Sequence, residues 1–176
     1  MKRSTFSEEP CSIARSLDIL GDWWNPLILR ECLYGIHRFQ DIQQWLNIGR
    51  NILTTRLKQL VEEGLLEKRQ YQSGPPRFEY HLTEKGYDAT LVLMAVMSFG
   101  EKWYFKDNAA PILLHHRETG HQVKPVLVDE FTGERIDPRQ LVPAPGPSFP
   151  PGEVRKSRFA EFYADENRVF TRSQAD

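Results

Sequence analysis

The chain has 176 residues, of which 40% are hydrophobic, 27% charged and 11% aromatic, a composition typical of a folded globular protein. Two cysteines are too few for a disulfide-rich scaffold, and no stretch is long and apolar enough to predict a membrane helix. The formal net charge of −1 argues against a general polyanion-binding protein, and the first ten residues lack the apolar run of a signal peptide. We therefore expect a cytoplasmic protein without membrane contact.

Charge and proline are unevenly distributed along the chain. Residues 38–77 hold seven basic and four acidic side chains, whereas residues 107–176 hold nine basic and eleven acidic ones. Eight of the twelve prolines lie in residues 111–151, where they disfavour regular secondary structure. We predict a compact domain over residues 1–107 and a loop-rich appendage over residues 108–176, with any nucleic-acid contact made by the first.

Three helices are predicted before residue 50 from the spacing of apolar side chains and from residues that begin or end a helix. The first spans residues 11–20. The second begins with Asn25 as N-cap and Pro26 at the first helical position. The third follows Arg38 and is brief, because Asn47 and Gly49 favour a turn with positive φ.

A fourth helix is predicted over residues 50–63, and it has two distinct faces. Its apolar stripe consists of Leu53, Leu57, Leu60 and Val61, and the opposite face carries Asn51, Thr54, Thr55, Lys58 and Glu62. Gly64 then ends the helix. We expect the first face in a core and the second, with its short polar and basic side chains, in solvent.

A hairpin and a long helix complete the first half. Residues 66–72 and 78–82 are strand-like and flank a turn rich in glycine and proline. Thr83 then caps a helix that extends to about Tyr104. This helix is apolar nearly all round, and a small domain covers only one side of it, so we predict that a second subunit covers the other.

The order of these elements, three helices with a tight turn before the last and then a basic hairpin, is that of a winged helix-turn-helix. An α-helix fits the DNA major groove, where short polar side chains and cations reach base edges. Cations on a hairpin lie well against phosphates. The sequence therefore predicts a mainly α-helical fold with a small β-hairpin wing, and double-stranded DNA as its partner.

The motifs in this region resemble those of the HxlR family of MarR-like transcriptional regulators. They are CSIARSLDILG at residues 11–21, LILRE at 27–31, LTTRL at 53–57, EEGLL at 62–66 and PPRFEYHLTEKG at 75–86. The resemblance implies a homodimer held together by the first and last helices, with helix 50–63 as recognition helix and Arg77 in the wing. Where family members place Ser or Thr and then proline before this helix, the chain has Gly49 and Arg50.

Two sets of candidate site residues follow from the helix faces, the hairpin and the resemblance. For contact with DNA we predict Arg38, Arg50, Asn51, Thr54, Thr55, Lys58, Lys68, Arg69 and Arg77. For the dimer interface we predict Ile13, Leu17, Leu91, Ala95 and Phe99.

The two cysteines have different predicted roles. Cys11 coincides with a cysteine that senses oxidants or electrophiles in some relatives, and it lies near a helix N-terminus, which favours the thiolate. A buried structural role is the alternative for Cys11. Cys32, on the apolar face of the second helix, is expected in the core.

The appendage resembles the zinc-ribbon tail of longer family members, but Thr119, Asp129 and Thr132 stand where that tail has cysteines. Although His115, His116 and His121 cluster nearby, we predict no metal and instead a hairpin around Val123, Val126 and Val128. The prolines of residues 143–151 predict a stiff connector. Beyond it, Phe159, Phe162 and Tyr163 have the spacing of a short terminal helix.

Other functions are less well supported by the sequence. Motifs of nucleotide-binding, hydrolase and metalloprotease sites are absent, so we expect no enzyme and no cofactor. A winged helix that serves as a protein-interaction scaffold without binding DNA is the alternative. A small-molecule effector is a further expectation, with Trp23, Trp24 and Trp103 as candidate walls of a cavity beside the last helix.

Overall fold

The computed structural model describes residues 5–9, 11–105, 110–141 and 143. The chain divides into two compact units, residues 1–127 and 128–176. The elements are α1 (Ser12–Leu20), α2 (Trp24–Leu33), α3 (Phe39–Leu46), α4 (Arg50–Glu62), β1 (Leu66–Ser73), β2 (Pro76–Leu82), α5 (Glu84–Tyr104) and a 3-10 turn at Pro138–Gln140. None of the helices in the described part of the chain is long and apolar enough to cross a membrane.

The first unit contains the predicted winged helix-turn-helix. Its core lies where α2, α3, α4 and β1 meet, and the side chains buried there are Ile28, Leu29, Ile42, Leu53, Leu57, Leu60 and Leu66. The three leucines from α4 are those of the predicted apolar stripe, so the amphipathic pattern of that helix is confirmed. Burial of each such side chain contributes about 1.5–3 kcal/mol to folding.

The start of α2 differs from the prediction. The helix begins at Trp24, so Asn25 is not its N-cap. Asn25 is fully buried, and its amide Nδ2 donates a hydrogen bond to the carbonyl of Ile19 at 2.8 Å. A carboxylate oxygen of Asp22 accepts from the backbone N–H of Trp24 at 3.1 Å. The helix begins two residues earlier than predicted, because the Asp22 carboxylate accepts from one N–H of its first turn while the Asn25 side chain is bonded to α1.

The turn between α3 and α4 is as tight as predicted. Asn47 adopts the left-handed conformation with φ 48°, which asparagine tolerates better than most residues. Gly49 has φ −61° and is the N-cap of α4, without a side-chain hydrogen bond. Only the first of these two residues therefore needs positive φ.

The wing is a two-stranded antiparallel hairpin in which Leu66 pairs with Leu82 and Ser73 with Pro76. A register shift between Gln70 and Gln72 places Tyr71 outside the regular pairing. Bulges of this kind increase strand twist and redirect a side chain. The second strand begins two residues before its predicted start.

Thr83 joins three elements at the base of the wing. Its Oγ1 accepts from the N–H of Gly86 at 3.1 Å, which confirms the predicted cap of α5, and donates to the carbonyl of Gly64 at 2.6 Å. A Cβ on Gly86 would lie 2.2 Å from the carbonyl oxygen of Leu65. The first turn of α5 is therefore packed directly on the backbone that links α4 to β1.

Two tight turns of the same design lie in the appendage, one in each unit. Gly120 donates to the carbonyl of His116, and Gly133 to that of Asp129, each at 2.8 Å. Both glycines have positive φ, near 70°, a conformation that side chains disfavour. Each turn is flanked by one antiparallel bridge, which joins His115 to Gln122 in the first and Val128 to Arg135 in the second.

These turns correct the prediction of a single hairpin around Val123, Val126 and Val128. Val123 donates to the carbonyl of Leu114 at 2.7 Å and so belongs to the first turn, whereas Val128 begins the second. Apart from Pro143, the predicted connector at residues 143–151 and the predicted terminal helix with Phe159, Phe162 and Tyr163 lie outside the described residues. The domain boundary at residue 107 stays a prediction.

Candidate DNA-binding surface

The face of α4 opposite the core is exposed. The five predicted contact residues on this helix, Arg50, Asn51, Thr54, Thr55 and Lys58, are all accessible to solvent. They lie across the helix from the fully buried Leu53, Leu57 and Leu60. A helix with one buried and one exposed polar face has the form required for insertion into a major groove.

The two threonine hydroxyls of this face donate hydrogen bonds to the backbone of their own helix. Thr54 Oγ1 donates to the carbonyl of Arg50 at 2.8 Å, and Thr55 Oγ1 donates to that of Asn51 at 2.9 Å. Their oxygen lone pairs stay available. In this rotamer both side chains would accept hydrogen bonds from base amino groups and present methyl groups to thymine.

The predicted DNA-contacting cations fall into two groups by their partners. Lys58 pairs with Glu62 at 3.6 Å, Arg38 with Glu79 at 2.9 Å, and Arg69 with Glu67. By contrast, no carboxylate in the part of the chain described here forms an ion pair with Arg50, Lys68 or Arg77. Within the described residues, the positive charge of these three side chains is therefore not neutralised by an ion pair.

Aromatic rings support cations on and beside the wing. The Lys68 ammonium lies 3.8 Å from the centre of the Phe78 ring, and the Arg38 guanidinium lies 4.6 Å from that of Tyr71. Such contacts hold a cation in place without neutralising it. The two rings were missed by the sequence reasoning, since the bulge that turns Tyr71 toward Arg38 has no sequence signal.

Arg38 also connects the helix-turn-helix to the wing. Its hydrogen bond holds the pKa of the Glu79 carboxyl below its usual value. Next to this ion pair, the N–H of Tyr80 donates to the carbonyl of His37 at 2.9 Å. The segment before α3 and the strand β2 are therefore joined through both backbone and side chains.

Exposed apolar side chains also lie on α1 and on α5. Ile13 is 72% exposed, Leu91 61% and Phe99 54%. The other two predicted dimer residues, Leu17 and Ala95, are exposed as well. Exposed apolar side chains that recur along one helix, as they do on α5, are typical of an interaction surface.

Comparison with known proteins identifies the family. The family model described as HxlR-like helix-turn-helix matches residues 19–108, slightly more than half of the chain. The chain belongs to this family. It is a transcriptional regulator with a helix-turn-helix DNA-binding fold.

Two relatives extend the similarity of this HxlR-family chain beyond the winged helix. The uncharacterized HTH-type transcriptional regulator Rv3095 of Mycobacterium tuberculosis is 38% identical over 138 residues, 78% of this chain and 87% of that protein. The crystal structure of PA1607, described as a transcription factor, is 30% identical with a TM-score of 0.72 and covers 80% of this chain and 99% of that chain. A stretch of 138 residues in a chain of 176 necessarily includes part of the appendage.

The two cysteines of this HxlR-family protein differ in environment. Cys11 is exposed at the N-cap of α1. Cys32 lies in the core as predicted, and burial, with a contribution from Glu31, raises its pKa to about 12. The redox regulator HypR in its reduced form has a similar fold, with a TM-score of 0.50 and 25% identity over 54% of this chain and 95% of that chain.

The histidines of the appendage are engaged with one another and with the turn. The rings of His116 and His121 stack with centroids 5.3 Å apart, and Thr119 Oγ1 lies 2.6 Å from His121 Nδ1. Within the described residues, no three His, Cys, Asp or Glu side chains are placed to hold a metal ion.

Proposed function

We propose that this HxlR-family protein is a homodimer that binds operator DNA through the exposed face of α4 and the cations of the wing. The observation that carries the proposal is the division of α4 into a fully buried leucine stripe and an exposed polar face. If the protein were a scaffold that does not use this face, its function would not explain why Asn51, Thr54, Thr55 and Lys58 lie together in solvent.

Within this surface, we assign phosphate contacts to the cations that form no ion pair with a carboxylate of the described residues. These are Arg50 at the start of α4 and Lys68 and Arg77 on the wing. The N-terminus of α4 supports the role of Arg50, because Gly49 provides no side-chain cap and the first N–H groups of the helix stay available to an anion. Base-edge contacts are assigned to Asn51, Thr54, Thr55 and Lys58.

The dimer is assigned to the exposed apolar surface of α1 and α5. In water such a surface favours association, since covering apolar area releases about 25 cal/mol per Å². A two-fold axis there would present two copies of α4 to half-sites about one helical turn, ~34 Å, apart.

Thiol modulation is assigned to Cys11. It is accessible to an oxidant, and it lies two residues before Ile13 of the proposed dimer surface. A change in charge or bulk at this sulfur would therefore act next to the subunit interface. The similarity to the redox regulator HypR is in keeping with this assignment.

The experiment is equilibrium binding of the full chain to the DNA upstream of its own gene, measured by fluorescence anisotropy at several salt concentrations. We expect log K to fall linearly with log salt, with a slope of about −0.9 per phosphate neutralised. Arg77→Ala should weaken binding to all sequences and reduce the slope by about one. Arg117→Ala, an exposed cation of the appendage, is the matched control and should leave both unchanged. A scaffold protein would show no salt-dependent binding.

A further inference from the structure

A cavity of about 300 Å³ lies between α2, α5 and residues 110–114 of the appendage. Its walls include Leu27 and Leu33 of α2, Leu93 and Met97 of α5, and Ile112. The volume is at the lower end of the range for small-molecule sites, about 300–1,000 Å³. The cavity is partly open to solvent, so a ligand can reach it from the surface.

The cavity does not have the walls that the sequence suggested. Trp23, Trp24 and Trp103 are not among the residues that line it. Trp23, which precedes α2, is 85% exposed, and Trp103 of α5 is 64% exposed. Its third wall comes from the segment that follows α5, whose position no periodicity in the sequence indicates.

The residues that line the cavity favour an uncharged ligand. Most of the lining surface is apolar, and Met94 and Met97 both contribute to it. The hydroxyl of Thr90 donates to the carbonyl of Tyr87 at 2.7 Å and is thereby satisfied. Arg30 at the rim is paired with the buried carboxylate of Glu31, while Glu101 adds a further negative charge. Among the described lining residues, an anionic ligand would therefore meet no unpaired cation and would face the carboxylate of Glu101.

The position of the cavity connects the two proposed working surfaces. Along α5, the cavity residues Leu93 and Met97 lie on the face opposite Leu91 and Ala95 of the proposed dimer surface, about 160° away at 100° per residue. The other main wall, α2, buries Leu29 in the core that supports α4. A molecule between α2 and α5 thus contacts both the helix that faces the partner and the one that holds the recognition helix.

We propose that this cavity binds a small, uncharged, predominantly apolar organic molecule, with residues 110–114 as its third wall, and that binding changes the affinity for DNA. Apolar cavities of about half this volume already bind benzene. Occupancy would fix the separation of α2 and α5 and hence the spacing of the two α4 helices, since a ligand shifts an equilibrium by its difference in affinity for the two states. The regulatory part rests on the proposed function, whereas the binding part does not.

The test uses the full chain and N-phenyl-1-naphthylamine, a neutral fluorescent probe, with its anionic relative 1-anilinonaphthalene-8-sulfonate for comparison. Gly100 lines the cavity, and a Cβ added there meets no atom within 4 Å. Gly100→Leu should therefore fill the cavity and weaken binding of the neutral probe about ten-fold or more. Asp88→Leu, at an exposed position about 18 Å earlier on α5, is the matched control and should bind as wild type does. Circular dichroism checks that both variants are folded.

A second variant tests the wall from the appendage. Ile112 is 48% exposed, so Ile112→Asp should fold, and its carboxylate should weaken binding of the neutral probe. Failure of the wild type to bind the neutral probe, or equal binding by Gly100→Leu, would overturn the site. Equally tight binding of the anionic probe at the same site would overturn the ligand class.

The DNA measurement separates this proposal from the preceding one. We expect the neutral probe to change operator affinity in the wild type and in Asp88→Leu but not in Gly100→Leu. Probe binding without any effect on measurable DNA binding would overturn the regulatory part alone. If the chain bound no DNA at all, the proposed function would fail while the cavity measurements would still decide the site.

Discussion

The imidazole rings of His37 and His81 stack at the base of the wing, with centroids 4.1 Å apart and planes inclined by 29°. His37 precedes α3, and its Nδ1 lies 3.1 Å from the carbonyl oxygen of Tyr80, while His81 Nε2 lies 3.3 Å from a carboxylate oxygen of Glu79. Arg69 and Arg38 are the nearby cations. The two histidines therefore join the helix-turn-helix to β2 at a contact that two positive charges would weaken.

This stack predicts a loss of stability in mild acid. Burial, and then the neighbouring His81, lowers the pKa of His37 below its ordinary value of 6.5. The unfolded chain therefore takes up a proton at this residue before the folded chain does. The contribution is fully present above about pH 6.5 and decreases as the pH falls through that value. Urea denaturation at pH 7.5 and pH 5.5 measures the difference.

A variant assigns this pH dependence to the pair. His37→Gln should reduce the difference in unfolding free energy between the two pH values, because glutamine does not titrate. His116→Gln, in the appendage, is the control for loss of any histidine and should retain the wild-type difference. An unchanged difference in His37→Gln would show that the stack does not govern acid stability.

The ion pair on the recognition helix predicts a gain in DNA affinity. Lys58 and Glu62 are 3.6 Å apart and both are more than 60% exposed, so the pair contributes little to stability. Glu62→Gln should leave the melting temperature nearly unchanged, free the Lys58 charge and tighten DNA binding with a steeper salt dependence. Lys58→Ala should weaken binding by about 1–3 kcal/mol if Lys58 contacts a base edge. Weaker binding by Glu62→Gln would mean that the carboxylate itself contacts DNA.

The exposed apolar surface predicts the oligomeric state. Phe99→Asp introduces one carboxylate in each subunit. Because the proposed dimer is two-fold symmetric, two negative charges then lie at the same interface. We expect sedimentation velocity to show a dimer for the wild type and a monomer for this variant. Trp45→Asp changes an equally apolar, 72% exposed side chain on α3 and should stay dimeric. A monomeric wild type would contradict the proposed dimer.

Cys11 gives a prediction about oxidants. If its thiol modulates binding, diamide should change the operator affinity of the wild type and leave that of Cys11→Ser unaffected. Cys32 provides an internal control, since its buried thiol with a raised pKa of about 12 reacts slowly. The same response in Cys11→Ser and wild type would remove Cys11 from the mechanism.

The parts of the fold that the sequence predicted are those governed by local rules. The leucine stripe of α4, the left-handed Asn47 and the cap at Thr83 each depend on residues a few positions apart. The predicted start of α2 was wrong because the Asn25 side chain donates a hydrogen bond to the carbonyl of Ile19 in α1. The spacing of residues in the sequence does not indicate such a contact between two helices. For the same reason, only the structure shows that the Tyr71 and Phe78 rings contact Arg38 and Lys68 and that residues 110–114 line the cavity.

Two glycines of α5 predict opposite effects of the same substitution. Gly86→Ala brings a methyl group to within 2.2 Å of the Leu65 carbonyl oxygen, which is backbone and yields little. We expect a loss of about 1–3 kcal/mol in the free energy of unfolding, as for other overpacked sites. Gly100→Ala meets no atom within 4 Å and should gain about 0.5–1 kcal/mol, because alanine favours the helix. Urea denaturation of both variants at one protein concentration measures the contrast, and a stabilised Gly86→Ala would show that α5 does not pack on the backbone before β1.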